Sequence, residues 1–327
     1  MKIICTLGPS SYHPSILRKL RLKGVDIFRI NLSHTPANEI LKKINFLKRN
    51  EIKNICIDTE GAQIRTTKVN KKIYLKKGKI IKISNNDNLS NSKNLNLSPK
   101  FNLIECKLNK KIYVGFNNLV LEILKKNVRK EFLLTKVLVP GYLESNKGVH
   151  INQKIKLNPL TEKDLFALDL AYKNNIQYFA ISFVNSSRDL RLVRNIVGKK
   201  PFIISKIETK SAISNLKKIT KESDALLIDR GDLSRYITIE EIPIAQEMII
   251  NHGLKAKKPV YVATNLLETM IKETQPTRAE SHDIFSTLKQ GASGLVLAAE
   301  TAIGINPVSC VDFLKRCIKI FKKYKKK

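Results

Sequence analysis

A (β/α)₈ barrel interrupted by a small all-β domain is the fold this sequence predicts, and three observations predict it. Apolar runs of strand length occur eight times. Most are separated by segments long enough for a helix, the alternation that builds a parallel sheet covered on both sides. One interval, residues 62–149, breaks that rhythm with short alternating runs and no helical pattern.

The strands, in order, are IICTLG (3–8), DIFRINL (26–32), NICIDTEG (54–61), YFAISFV (178–184), FIISKIE (202–208), ALLIDRG (225–231), PVYVATNL (259–266) and GLVLAAET (294–301). Between the second and third, residues 35–49 read as a helix. Thr35 is placed to cap it, Pro36 suits its first turn, and Ile40, Leu41, Ile44 and Leu47 form one stripe. Thr161 with Asp164 resembles a capping box before YFAISFV. Asn306-Pro307 opens the last helix, with Val311, Leu314, Ile318 and Phe321 on its inner face. Within the irregular interval, KKIYLKKGKIIKIS, KKIYVGFNNLVLEIL and EFLLTKVLV supply short strands, split by an Asn/Ser-rich loop around 85–98. The expected boundaries are 1–61 and 150–327 for the barrel, and 62–149 for the insertion.

With 327 residues, 43% of them hydrophobic, the chain can bury a large core. The formal charge of +32 favours anionic partners, and the insertion carries 19 Lys and Arg against 5 Asp and Glu. Such a basic lid suits an anionic substrate, and a lysine-rich solvated surface explains the same numbers. No tryptophan and few aromatics argue against base stacking, so nucleic-acid binding is not expected. The five cysteines form no C-x-x-C pair, and two sit in apolar strands, as suits a reducing compartment. MKIICTLG has the pattern of a strand rather than a leader, and no run of about 18 apolar residues occurs, so a cytoplasmic location without membrane contact is expected.

In such barrels the active site gathers at the C-terminal strand ends. Those ends are polar here: Arg29, Asn31 and Ser33; Asp58 and Thr59, with Arg65 beyond; Lys206 and Glu208; Arg230 and Asp232; Thr264; Glu300. Lys206 and Glu208 are two residues apart on one strand and therefore share a face. Glu208 and Asp232, on neighbouring strands, are suited to a hard divalent cation such as Mg²⁺. Arg29, Arg65 and Lys206 then surround an anion. Metal with clustered cations suggests phosphoryl transfer, and since neither G-x-x-x-x-G-K-[ST] nor G-x-G-x-x-G occurs, no P-loop or Rossmann cradle is expected.

KIICTLGPSS, FRINLSH, IDTEGAQIRT, FIISKIET, DRGDL, VATNLLETM with PTRAE, and LAAETAIG occur in this order, and the chain resembles pyruvate kinases over nearly its whole length. The resemblance implies transfer of phosphate from phosphoenolpyruvate to ADP in glycolysis, with Mg²⁺ and K⁺ as cofactors. By it, Lys206 steadies the phosphoryl group in transit, Glu208 and Asp232 bind Mg²⁺, and Asn31, Ser33, Asp58 and Thr59 bind K⁺. Arg29, Arg65, Gly231, Asp232 and Thr264 join Lys206 in binding substrate, Asn31, His34 and Arg65 serve the nucleotide, and Thr264 helps to protonate the enolate carbon.

There are departures from the family pattern. Gly61-Ala62-Gln63 stands where a glycine-proline-glutamate is usual, and Gly115-Phe116-Asn117-Asn118 where two aspartates precede a glycine. Ala298 replaces a serine and Ser234 a glycine. A working enzyme, with room for reduced activity, is the expectation; a divergent paralogue that binds phosphoenolpyruvate or nucleotide without turnover is the alternative. With Gln63 in place of glutamate, weaker but still stimulating K⁺ is expected. The sequence stops at FKKYKKK, before a further domain usual in the family. From that, no response to sugar bisphosphates is expected, and a homodimer or monomer rather than a tetramer.

Overall fold

A computed structural model describes residues 1–61, 63–115, 119–153 and 155–325. Ala62, and Phe116, Asn117 and Asn118 of the insertion, lie outside the described residues. The chain divides into two compact units, Met1–Gly61 with Glu162–Lys327, and Ala62–Thr161.

In the first unit, strands β1 (Lys2–Thr6), β2 (Ile27–Asn31), β3 (Ile55–Asp58), β4 (Tyr178–Ile181), β5 (Phe202–Ile207), β6 (Ala225–Asp229), β7 (Val260–Ala263) and β8 (Gly294–Leu297) close into a parallel barrel. Each strand pairs with its neighbours in sequence, and β8 returns to β1 in the register Lys2 to Gly294 through Cys5 to Leu297. Helices α1 (Pro14–Leu22), α2 (Ile40–Arg49), α3 (Glu162–Lys173), α4 (Ser187–Val197), α5 (Lys210–Ser214), α6 (Leu216–Glu222), α7 (Arg230–Leu233), α8 (Ile242–Lys255), α9 (Arg278–Gln290), α10 (Ala299–Ala302) and α11 (Pro307–Tyr324) occupy the intervals.

Local chemistry explains where the helices begin. In α4, Ser186 and Asp189 form a capping box, and Thr277 with Glu280 does the same for α9, which ends on Gly291 in the left-handed region at φ 106°. Asn306 accepts from the Ser309 amide at the head of α11, whose Val311, Leu314, Ile318 and Phe321 are buried as the pattern required. Helix α2 departs from expectation. It starts at Ile40, after a 3₁₀ turn over Ala37–Glu39, and buries Ile40, Ile44 and Leu47 but leaves Leu41 40% exposed. A stripe at i, i+4 and i+7 puts i+1 about 100° away, so Leu41 falls on the shoulder.

The barrel interior is packed by Ile4, Ile27, Cys56, Ala180, Ile204, Ala225, Leu227, Tyr261, Ala263 and Val296. Inward positions recur every second residue, so the side chain two places beyond each apolar layer also points inward if the strand continues. All five cysteines are free, and only Cys317 is partly exposed. Burial pushes the Cys56 thiol up to about 12 and the Cys106 thiol to about 11. A thiol reagent at pH 8 should therefore modify at most Cys317 in the native protein and all five after denaturation. Fast native modification of a second cysteine would contradict this packing.

In the smaller unit, a seven-stranded sheet runs in the order Val149–Ile151, Lys111–Val114, Leu119–Asn127, Phe132–Val139, Ile80–Ser84, Asn94–Ser98 and Arg65–Thr66. Its two edges approach each other through a bridge between Arg65 and Gly148 and an N–H···O bond of 2.7 Å from Val149 to Ile64, so the sheet nearly closes on itself. A pair of strands, Ile73–Leu75 and Gly141–Leu143, lies beside it in sequence. Val149–Ile151 pairs with Lys111–Val114, which carries this unit past residue 149 to Thr161. The segment expected as an Asn/Ser-rich loop contains the strand Asn94–Ser98, with Leu95 and Leu97 fully buried. Its N-L-N-L-S alternation is a strand signal that composition concealed.

Candidate active site

The polar layer lies two residues beyond the apolar one. On β1, Ile4 is followed by Thr6; on β2, Ile27 by Arg29; on β3, Cys56 by Asp58; on β5, Ile204 by Lys206; on β6, Leu227 by Asp229. Past β4, Ala180 is followed by Ser182. All six of these polar side chains are buried, with Asp58 fully enclosed and Asp229 at 9% exposure.

Hydrogen bonds and charges join them. Arg29 donates from Nε to Thr6 Oγ1 at 2.8 Å and from Nη1 to Asp58 Oδ2 at 3.0 Å. Ser182 donates to the Thr59 carbonyl at 2.6 Å and accepts from Lys206 Nζ at 3.0 Å. The Lys206 ammonium lies 2.8 Å from Glu208 Oε1, 3.4 Å from Asp229 Oδ2 and 3.6 Å from Asp58 Oδ1. Burial alone would lower the Lys206 pKa, but these three carboxylates outweigh it and hold the group well above the ordinary lysine value. Lys206 is thus a fixed positive charge.

Glu208 is fully buried. Its Oε2 accepts from the Phe183 amide at 2.6 Å, while Oε1 meets the ammonium without the alignment of a hydrogen bond. Burial, opposed by Lys206 and reinforced by Asp232 and Asp229, pushes the carboxyl above the ordinary glutamate value. One oxygen each from Glu208, Asp229 and Asp232 lies within 4.8 Å of the others. An all-oxygen donor set with surplus negative charge fits a hard divalent cation. Burial and the charges of Asp232 and Glu208 also push the nearby Tyr236 hydroxyl up to about 12.

Thr264 follows the last residue of β7 at φ +78°, with Asn265 also left-handed at +57°. A threonine there is strained, and its neighbours hold it. Its carbonyl accepts from Arg230 Nε at 3.0 Å and Nη2 at 2.6 Å, and Arg230 is fixed in turn by Asp283 of α9 at 2.8 Å. Gly231 leaves the necessary room, since a Cβ there would come within 2.9 Å of Thr264 Cγ2.

The expected residues therefore divide. Arg29, Asp58, Lys206, Glu208, Asp232 and Thr264, with Gly231 beside Thr264, belong to this constellation. Asn31 ends β2 and its Oδ1 accepts from the Ser33 amide at 2.9 Å, capping a 3₁₀ turn over Leu32–His34, so Ser33 and His34 sit on a turn rather than on a strand face. Thr59 Oγ1 accepts from the Ser182 amide at 2.9 Å. Arg65 belongs to the smaller unit, where its Nη1 donates to the Asn146 carbonyl at 3.0 Å. Glu300, buried at the head of α10, accepts from the amides of Leu267 and Ala298 and serves the backbone. Thr6, Ser182 and Asp229 escaped the sequence reading.

The family pattern described as pyruvate kinase, barrel domain, matches residues 1–311. The pyruvate kinase of Thermotoga maritima is 36% identical over 332 residues, covering 97% of this chain and 70% of that protein. That of Sporosarcina psychrophila is 32% identical, covering 96% and 56%, and that of Clostridium perfringens 34% identical, covering 97% and 69%.

Proposed function

The chain belongs to the pyruvate kinase family, and from that premise we propose that it transfers the phosphoryl group of phosphoenolpyruvate to ADP, giving pyruvate and ATP as a glycolytic step in the cytoplasm. The observation that carries the reading is the buried Lys206 ammonium facing three carboxylates, two of them in a cluster of three acids close enough together to hold one cation. Such transfer relies chiefly on placed positive charge.

Lys206 and Arg29 draw the phosphate to the barrel mouth, and Lys206 stabilises the charge on the equatorial oxygens as the P–O bond to the enolate breaks. Glu208 and Asp232, with Asp229 adjacent, would hold Mg²⁺, which when bound neutralises phosphate oxygens and lowers the barrier to displacement. Asn31, Ser33, Asp58 and Thr59 are the oxygen-bearing residues proposed for K⁺. Gly231 and Thr264 shape the wall where the enolate carbon would lie.

A coupled assay with phosphoenolpyruvate, ADP and Mg²⁺ tests the reading. Pyruvate should form, and its rate should rise with K⁺ at constant ionic strength. No turnover above a Lys206→Met control would reject the activity, and equal rates in K⁺ and a bulky organic cation would reject the K⁺ assignment.

A further inference from the structure

We propose that Asp229 is a positioning residue of this site, holding Thr264 through one carboxylate oxygen and restraining the Lys206 charge through the other. The proposal rests on the phosphoryl-transfer reading above. Asp229 Oδ1 accepts from the Thr264 hydroxyl at 2.6 Å, and Oδ2 stands 3.4 Å from Lys206 Nζ. The Asp232 amide also hydrogen-bonds this carboxylate. One side chain thus touches a residue from each of β5, helix α7 and the end of β7.

Two consequences follow from the chemistry of the groups. An ionised carboxylate can only accept, so the single hydroxyl hydrogen of Thr264 is committed to Asp229 and the oxygen presents lone pairs to the barrel mouth. Thr264 orients a donor there and does not itself supply the proton. Near Lys206, Asp229 competes with an incoming phosphate for the same ammonium, weakening the hold on the ground state while keeping the charge in place. Removing Asp229 should therefore move binding and turnover in opposite directions, which general damage to the fold does not do.

The probe is inorganic phosphate, titrated by calorimetry into the full chain without divalent metal, alongside kcat for phosphoenolpyruvate at saturating Mg²⁺. Asp229→Asn and Asp229→Ala should each tighten phosphate binding about tenfold, because a like charge beside the anion is gone. Asp229→Ala should lower kcat about a hundredfold, while Asp229→Asn, whose carbonyl oxygen can still accept from Thr264, should stay within about tenfold of the unaltered chain. Thr264→Val should match the kcat loss of Asp229→Ala, leave phosphate affinity unchanged, and add less than about twofold when combined with it. Unchanged phosphate affinity in both Asp229 variants, or fully additive kcat losses, overturns this inference alone. An unaltered chain that makes no pyruvate removes the proposed function and this inference with it. Circular dichroism checks folding, and if Asp229→Ala does not fold, the phosphate affinity of Asp229→Asn decides.

Discussion

Replacing Lys206 by methionine should reduce pyruvate formation at least about a thousandfold, since a positive charge beside the migrating phosphoryl group has no substitute in a water-poor site. The side chains of Lys206 and Asp58 are 6% and 1% exposed, so a bulk cation would have to enter a desolvated space to replace the ammonium. Methionine preserves the length of the stem and removes the charge, together with the hydrogen bond from Nζ to Ser182 Oγ. It also leaves Glu208, Asp58 and Asp229 without their shared cation. Some loss of stability is therefore expected, and assays should be run well below the melting temperature of the variant. A Lys206→Met protein that is folded and retains a tenth of the activity would show that the phosphate is stabilised elsewhere.

The largest effect on stability should come from Arg29→Leu. Its guanidinium and the Asp58 carboxylate form an ion pair at 3.0 Å whose side chains are 4% and 1% exposed. Removing Arg29 leaves Asp58 with the more distant Lys206 ammonium, 3.6 Å away, as its one remaining ion-pair partner among the described residues, and breaking a buried pair costs about 3–5 kcal/mol. For a unit of this size, that lowers the melting temperature on the order of 10 °C. Asp58→Asn on the Arg29→Leu background should recover part of the loss, because the under-compensated buried charge is then gone. If the double variant melts below the single one, the destabilisation comes from lost packing instead. Thermal melts followed by circular dichroism separate the two outcomes.

Much of this molecule could be read from the spacing of its residues. The eight strands are legible because each is a run of apolar residues flanked by helix-length segments. Lys206 and Glu208 are legible because both follow an inward apolar residue at intervals of two, Ile204 being the anchor. The same rule fails where a strand stops early. At DRGD, counting back from Asp232 selects Arg230, but β6 ends at Asp229 and α7 begins at Arg230, so the phase changes between them. Counting forward from Leu227 selects Asp229. Asn31 and Ser33 show the same break, because β2 gives way to a 3₁₀ turn at Leu32. Where a strand ends depends on backbone hydrogen bonds to its neighbours, which no local pattern reports. Glu300 illustrates a related limit: a buried acid at a strand end can serve the amides of Leu267 and Ala298 as readily as a substrate.

The pairing of β1 with β8 sets the order of events during synthesis. Lys2 meets Gly294, and Thr301 reaches back to the Thr6 carbonyl at 2.9 Å, so the barrel seam joins the first and last of the barrel's own strands to leave the ribosome. At roughly 5–20 residues per second, tens of seconds separate their emergence. During that time β1 and the growing edge of the sheet present unpaired backbone groups, an invitation to mispairing and to chaperones. The smaller unit draws its strands from one continuous segment and can fold within that interval. Its completed structure would already be present while the barrel around the chemistry is still open.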